Sequence, residues 1–414
     1  MNITIIGGGI IGLSSAYYLQ KKGYHITIVD KGDITKGCSF GNAGYVSPSH
    51  FTPLATPGII AQGLRWMLSS TSPFYIKPRM NLDLLQWGIN FWKSANKATV
   101  EKNIPHMNNL LQLSRQLTAE MKNELGNNFR MQEKGCFMLY KTADTEKHEL
   151  ELAEKAAHFG IETKILTAAE IQALEPNVEV NVKGGVLYPI DAHLHPGELM
   201  KTLLTRLISN GATILLNTSV LDFEKNDGKI SGVITDKGKV EGDEIVLAAG
   251  SWLTLLSKKL GIRILMQAGK GYSMTFDDVK RNLSYPAILV DDRVAMTPLG
   301  KDLRMGGTME ISGINEKILT KRANAIFAAA KRYYPDLPLQ LPDVDTIWSG
   351  LRPLTPDGMP YIGRHSKYKN LIIAGGHAML GLSMAAGTGK LVEHMINSSQ
   401  PPIPIDAFSV ERFN

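Results

Sequence analysis

Cysteine is nearly absent from this chain: Cys38 and Cys136 are the only two in 414 residues. They stand far apart, with no C-x-x-C and no zinc-type spacing, so neither a disulfide framework nor a structural metal is expected. A reducing cytoplasm is the natural setting. No run of Lys or Arg makes a nucleic-acid arm, and the net charge of +6 is scattered. That balance suits an anionic substrate or an anionic membrane surface and requires neither. No apolar run reaches bilayer length. The N-terminus lacks a basic leader region, so its apolar stretch reads as a first strand rather than a signal peptide. There is no internal repeat and no low-complexity segment. The length calls for two domains rather than one.

What is present begins at once. Asn2-Ile3-Thr4-Ile5-Ile6 runs into Gly7-Gly8-Gly9-Ile10-Ile11-Gly12, a G-x-G-x-x-G turn. A second apolar strand, His25–Val29, follows and ends in Asp30. Each part has its own job on a dinucleotide. Gly7 permits the tight turn, Gly9 leaves room for the pyrophosphate, and Gly12 lets the helix lie close on the sheet. The helix N-terminus offers N–H groups and a positive dipole end to the phosphates. Asp30 can accept hydrogen bonds from ribose hydroxyls. The glycine pattern alone is weak evidence, but here the strand, the helix and the acid all stand in their places.

Further along, residues 37–58 form a long Gly- and Pro-rich loop of the kind that usually carries function. Residues 59–125 read mostly helical, and 128–142 alternate like a strand. Thr167 and Glu170 suggest a capping box. Lys239–Ala248 reads as one strand, turns are expected at Gly269–Gly271 and Pro298–Gly300, and helices at Glu316–Tyr334 and from Gly381 to about Asn397. Nucleotide-type pieces fall at the start, middle and end, with mostly antiparallel pieces between. The simplest reading is a discontinuous domain interleaved with a second one: 1–50, 195–255 and 345–414 against 51–194 and 256–344.

The opening fingerprint, Leu247-Ala248-Ala249-Gly250-Ser251-Trp252, the stretch Gly350-Leu351-Arg352-Pro353-Leu354-Thr355-Pro356-Asp357-Gly358, and Gly376-His377-Ala378-Met379-Leu380-Gly381 occur in that order. Together they resemble the FAD-dependent amine oxidoreductases of the D-amino acid oxidase, glycine oxidase and sarcosine oxidase group. The loop Ser39-Phe40-Gly41-Asn42-Ala43-Gly44-Tyr45-Val46-Ser47-Pro48 is especially similar to that of bacterial D-amino acid dehydrogenases. The resemblance covers essentially the whole chain. It implies an α/β fold: a Rossmann-like FAD-binding domain interleaved with an α+β substrate domain on a mostly antiparallel sheet.

It also implies a cofactor site. Gly7, Gly9, Ile10, Ile11, Gly12, Asp30 and Lys31 would hold one half of a non-covalent FAD. Ser39, Asn42, Ala43, Gly44 and Val46 would come from the loop, and Val220, Ala249, Gly250 and Trp252 from the middle of the chain. Gly376, His377, Gly381 and Leu382 would approach the flavin, where a helix N-terminus can stabilise charge that develops on reduction. Plain alternatives stand beside several of these: turn chemistry for Ser39 and Asn42, a buried valine for Val220, a capping or packing role for His377. Cys38 is expected near the pyrophosphate, too far from the flavin ring for a covalent tether.

Arg352 lies in an apolar run, where an arginine is costly to bury without a partner. The resemblance assigns it to the substrate carboxylate, as a bidentate fork; the alternative is a structural salt bridge. Tyr272 is a second candidate contact, with packing as its alternative. His193 and His195 form an H-x-H pair without a third ligand, so surface or hydrogen-bonded histidines are expected rather than a metal site. Residues 59–92 gather Trp66, Phe74, Tyr75, Trp87, Phe91 and Trp92 with Lys77, Arg79 and Lys93 at their flanks. Such a segment is either core and active-site lid or a membrane-surface contact.

The expected activity is oxidation of the C–N bond of a small amino acid, most simply a D-amino acid, by hydride transfer from Cα to flavin N5. The imine then hydrolyses, and oxygen or a quinone takes the electrons. The alternatives are oxidation of a secondary amine of the sarcosine, proline or hydroxyproline type, and a flavin-binding assembly or regulatory subunit without turnover. The expected location is the cytoplasm, or the inner face of the cell membrane as a peripheral protein. No nucleic-acid partner is expected.

Overall fold

The computed structural model describes residues 1–67 and 72–414. Residues 68–71, which the helical expectation for 59–125 included, lie outside the described residues.

The first sheet has six strands in the order Tyr361–His365, Tyr368–Gly375, Glu244–Leu247, Asn2–Ile6, His25–Val29, Thr213–Leu215. All neighbours are parallel except the first pair. Helices cover the sheet, which is why its central strands read as unbroken apolar runs. The first helix, Ile10–Lys21, and the C-terminal α-helix, Gly381–Ile396, cross at a glycine: a Cβ on Gly389 would lie 2.6 Å from the Ser14 carbonyl oxygen. Ile5, Leu13, Ile28, Leu203 and Val392 are fully buried in this core.

The second sheet has nine strands and is mostly antiparallel. Trp348–Leu354, Gln267–Phe276, Asp302–Ile311, Val294–Leu299, Ala287–Leu289, Cys136–Tyr140, Gly184–Tyr188 and Lys164–Thr167 follow one another, and Phe74–Ile76 joins alongside Asp302–Ile311. The helix Thr320–Tyr333 packs behind it on Tyr272, Met274 and Met305. A small antiparallel sheet, Val220–Asn226, Lys229–Thr235 and Gly238–Val240, stands apart.

Several local expectations change. Gly269–Gly271 is not a turn but lies inside the strand Gln267–Phe276. Its glycines make room for side chains crossing the sheet instead of reversing the chain. Lys239–Ala248 is two strands, Gly238–Val240 and Glu244–Leu247, broken where a Cβ on Gly242 would meet Thr4 Oγ1 at 2.7 Å. The alternating stretch 128–142 yields only Cys136–Tyr140, buried at every position because both of its faces are covered. Trp348–Leu354, expected with the dinucleotide sheet, pairs with Gln267–Phe276 in the larger sheet. The capping box forms as read: the Thr167 hydroxyl accepts from Glu170 N, and the Glu170 carboxylate accepts from Thr167 N.

Candidate active site

A cavity of about 1970 Å³ lies between the two sheets, with Gly7, Asp30, Ala249, Arg352 and His377 all in its wall. Pockets for small ligands run to roughly 1,000 Å³, so this one has room for a dinucleotide and a small substrate together.

At one end is the glycine turn. Gly7 has φ +110°, and a Cβ there would lie 2.5 Å from the Ala248 carbonyl oxygen. Gly9 is the N-cap of the first helix and has no side-chain cap; only Ser39 Oγ comes within 3.4 Å of where its Cβ would be. Ile10 and Ile11 also line the cavity. Asp30 accepts from Gly8 N at 2.6 Å and from Gly32 N at 2.8 Å, so the acid secures the turn itself. Ser39 Oγ accepts from Ile10 N at 3.0 Å. Asn42 Oδ1 accepts from Gly44 N at 2.8 Å, with Ala43 between them in the cavity wall. Lys31 Nζ lies 3.5 Å over the Trp252 ring, and Val220, Ala249 and Gly250 complete this wall.

Four expected contact residues stand behind the wall instead of in it. A Cβ on Gly12 would collide with the Gly7 carbonyl oxygen at 1.9 Å, so Gly12 seats the helix. Gly44, at φ +92°, passes against the Leu194 carbonyl, and Val46 is buried beside Ala192. Gly376, at φ +79°, turns against Thr355 and Tyr361. Their smallness and pairing shape the backbone that faces the ligand.

Arginine 304 was not singled out by the sequence. Its guanidinium donates to the Asn42 carbonyl at 2.7 Å and the Phe40 carbonyl at 3.3 Å, fixing the loop over the cavity. Burial pulls it down to about 10. Its Nε also donates to Thr275 Oγ1 at 3.0 Å; nothing in its strand marks it, since the carbonyls it holds are about 260 residues away.

The other end belongs to Arg352, which is half-buried on Trp348–Leu354. Its guanidinium lies across Gly271 of the neighbouring strand; a Cβ there would sit 2.2 Å from Nη1 and 2.3 Å from Cζ and Nη2. It then donates from Nη1 to the Thr308 carbonyl, one strand further on. Burial pulls it down to about 10, with the nearby Cys38 opposing that shift. No carboxylate pairs with it among the described residues.

Thr308 is a residue the sequence gave no signal for. The register slips between Lys270 and Tyr272 against Glu310 and Gly307, which is a bulge. Thr308 occupies it with φ +66°, and its hydroxyl has no hydrogen-bond partner among the described residues. Strain of this kind in a β-branched residue gathers at functional sites.

Tyr272, the second candidate contact, has its polar group engaged within the protein. Its ring packs in the core behind the sheet, its hydroxyl donates to Glu310 at 2.7 Å and accepts from Leu319 N at 3.1 Å. Burial, reinforced by Glu310, holds the phenol well above its ordinary range. Both Gly271 and Tyr272 border the cavity, but the Arg352 guanidinium lies over Gly271 while the Tyr272 hydroxyl is engaged in the core. Cys38 precedes Ser39 in the loop, and its Sγ accepts from Leu351 N at 3.2 Å, beside Arg352, while burial raises its pKa. His193 is buried, neither ring nitrogen has a hydrogen-bond partner among the described residues, and desolvation pushes it down to about 4, so it is not a surface residue. His195 Nδ1 accepts from Glu198 N and caps the helix Pro196–Ser209.

The two ends are stitched together. Leu354 bridges His377, and Ala378 N donates to the Pro353 carbonyl at 2.9 Å. Arg352 is thus fixed to the loop that enters the C-terminal α-helix, whose N-terminus has no side-chain cap. Gly381 and Leu382 begin that helix in the cavity wall. The His377 ring is buried against Thr388 Oγ1 at 2.9 Å and pushed down to about 3 by desolvation, so it is neutral and serves packing.

A family model described as DAO, FAD dependent oxidoreductase, matches residues 2–395. The chain belongs to this family. The D-amino acid dehydrogenase of Granulibacter bethesdensis is 31% identical over 423 residues, spanning all of both chains. That of Helicobacter pylori is 34% identical over 396 residues, 95% of this chain and 94% of that one. Among solved structures, Bacillus cereus glycine oxidase superposes with a TM-score of 0.76 at 24% identity, over 96% of this chain and 95% of that one. The L-proline dehydrogenase of P. horikoshii gives 0.78 at 21% identity, over 100% and 97%. At such identities the structures speak to the fold alone.

The DAO family uses FAD, and this chain is an FAD-dependent oxidoreductase. Its residues fit the cofactor. The missing side chain at Gly9, the helix N-cap, and the open space at Gly250, φ +53°, leave a cradle that side chains would fill. Gly7–Ile11, Asp30, Ser39, Asn42 and Ala249–Trp252 would hold the dinucleotide, with Gly381 and Leu382 near the flavin.

Proposed function

We propose that the protein oxidises the C–N bond of a small amino acid, most simply a D-amino acid, to an imino acid that water hydrolyses. The observation that carries this reading is Arg352, a guanidinium with no carboxylate partner among the described residues, in the wall of the cavity that fits FAD. A substrate carboxylate would complete its coordination as a fork. The full-length relatives named D-amino acid dehydrogenase support the substrate class.

Bound FAD supplies the hydride acceptor. The chain's own part is position and electrostatics. Gly271 and Thr308 hold Arg352 flat against the sheet, and Arg352 orients the substrate by its carboxylate. The N–H groups at the start of the C-terminal α-helix offer a dipole end to developing negative charge. His377 is neutral and engaged with Thr388, so it is not asked to move a proton; the amine binds already deprotonated. Oxygen or a quinone then takes the electrons.

The test is anaerobic bleaching of the flavin by a panel of D-, L- and N-alkyl amino acids. Rapid bleaching by D-amino acids is the expected result. Bleaching by N-alkyl substrates alone would move the reading to a secondary amine, and bleaching by none would leave a flavin-binding subunit without turnover.

A further inference from the structure

Beyond Arg352 the cavity holds a second arginine without a partner. Arg293 stands just before the strand Val294–Leu299, at φ +55°, and lines the cavity wall. Its side chain is accessible, yet the protein around it desolvates it enough to lower its pKa, because the space it reaches is the cavity. Its guanidinium makes no hydrogen bond and no ion pair among the described residues. A desolvated charge left unpaired is costly.

The acids nearby do not relieve it. Asp291 already accepts from Lys141 N at 2.9 Å, from the Thr142 and Thr145 hydroxyls at 2.7 Å each, and from the Tyr333 hydroxyl at 2.9 Å. Glu149, on the helix Ala143–Ala157, is only 4% exposed, lines the same arm of the cavity and has no hydrogen-bond partner among the described residues. Burial pushes its carboxyl up to about 7 against the pull of Arg293. Each feels the other's charge, yet they stand too far apart to form an ion pair. His50 and His148 line this arm too; desolvation, assisted by Arg293, pushes His50 down to about 4 and lowers His148, so both are neutral. A guanidinium and a carboxyl that burial holds protonated up to about neutral pH thus face one space.

That space adjoins Arg352. Ala295 pairs with Gly306, so Arg293 comes level with Thr308, whose carbonyl takes the Arg352 guanidinium. A Cβ on Gly307 would lie 3.3 Å from the Arg293 carbonyl oxygen. Neighbouring strands lie about 4.8 Å apart, so both arginines open on one stretch of the cavity, walled by Met138, Ile288 and Val290. A carboxylate set between Arg293 and Glu149 would accept a fork from the first and a hydrogen bond from the second.

We propose that this arm takes a second carboxylate of the substrate, so that the enzyme oxidises dicarboxylic amino acids such as D-aspartate or D-glutamate, with the α-carboxylate on Arg352 and the side-chain carboxylate between Arg293 and Glu149. The proposal rests on the reading of Arg352 given above.

Matched ligands test it in the holoenzyme, read by perturbation of the flavin spectrum: succinate against butanoate, and glutarate against pentanoate. Each pair differs only in a terminal carboxylate. In at least one pair the diacid should bind roughly ten- to a hundredfold more tightly. Arg293→Leu should bring that ratio to about one, and Arg293→Lys should restore part of it. Glu149→Gln should keep the ratio, because the amide still donates, and Glu149→Ala should lower it. Anaerobic flavin reduction should favour D-glutamate over D-norvaline, or D-aspartate over D-2-aminobutyrate, with the same dependence on Arg293. Diacids that bind no better than their monoacids, or a preference that survives Arg293→Leu, would overturn the proposal and leave the Arg352 reading standing. Binding of every acid untouched by Arg352→Leu would overturn both.

Discussion

Gly271→Ala tests the proposed substrate site without replacing Arg352 itself. The added Cβ would lie 2.2–2.3 Å from three atoms of the Arg352 guanidinium. Ordinary contact begins near 3.4 Å, so the guanidinium must shift by about 1.2 Å or more. The colliding group is the end of a flexible side chain, so the strand should hold and the flavin spectrum should hardly change. The shift takes Arg352 off the Thr308 carbonyl and out of line with a carboxylate. Losing one charge-assisted hydrogen bond costs about 1.5–3 kcal/mol, roughly ten- to a hundredfold in substrate binding. Arg352→Leu would remove the whole of the proposed ion pair and should cost more, about 3–5 kcal/mol. The decisive measurement is a double-mutant cycle on kcat/KM for anaerobic flavin reduction. If Gly271 acts through Arg352, the alanine should be nearly silent in the Arg352→Leu background. Additive losses would refute the reasoning, as would a Gly271→Ala enzyme with wild-type substrate dependence.

Three further outcomes are expected. Asp30→Ala should weaken FAD binding roughly ten- to a hundredfold by calorimetry of the apoprotein, because it frees Gly8 N and Gly32 N and would remove the proposed ribose contact; unchanged affinity would remove Asp30 from the site. Burial pushes the Glu149 carboxyl up to about 7 from an ordinary 4.5. The folded state therefore keeps a proton that the unfolded chain loses, and stability falls as pH rises from about 4.5 to about 7. Glu149→Gln should gain up to roughly 3 kcal/mol over wild type at pH 8 and almost nothing at pH 4, read by denaturant unfolding; an equal gain at both would sink the assignment. Finally, acid precipitation should release all flavin to the supernatant, since Cys38 is held protonated by burial and Cys136 is deep in the core; colour in the pellet would contradict non-covalent binding.

The dinucleotide end was legible because its chemistry is local. The glycine turn, the helix it opens and Asp30 lie within thirty residues, and the collision of Gly12 with the Gly7 carbonyl is already implied by their spacing. The apolar setting of Arg352 likewise marked it as costly before any geometry was known. The register of a second sheet lay beyond the sequence. Gly269–Gly271 looks like a turn until Trp348–Leu354 pairs beside it and needs its missing side chains. Tyr272 and Gly271 are adjacent in sequence, yet only the pairing of the strands lays Arg352 over Gly271 and joins the Tyr272 hydroxyl to Glu310. Thr308 became a candidate through a bulge that no composition signals, and Arg304 through carbonyls about 260 residues away. The sequence by itself marked a dinucleotide turn and an arginine costly to bury, because those depend on residue type at short range. The tertiary structure decided which neighbours hold that arginine, because that depends on strand order, register and the side of the sheet each residue faces.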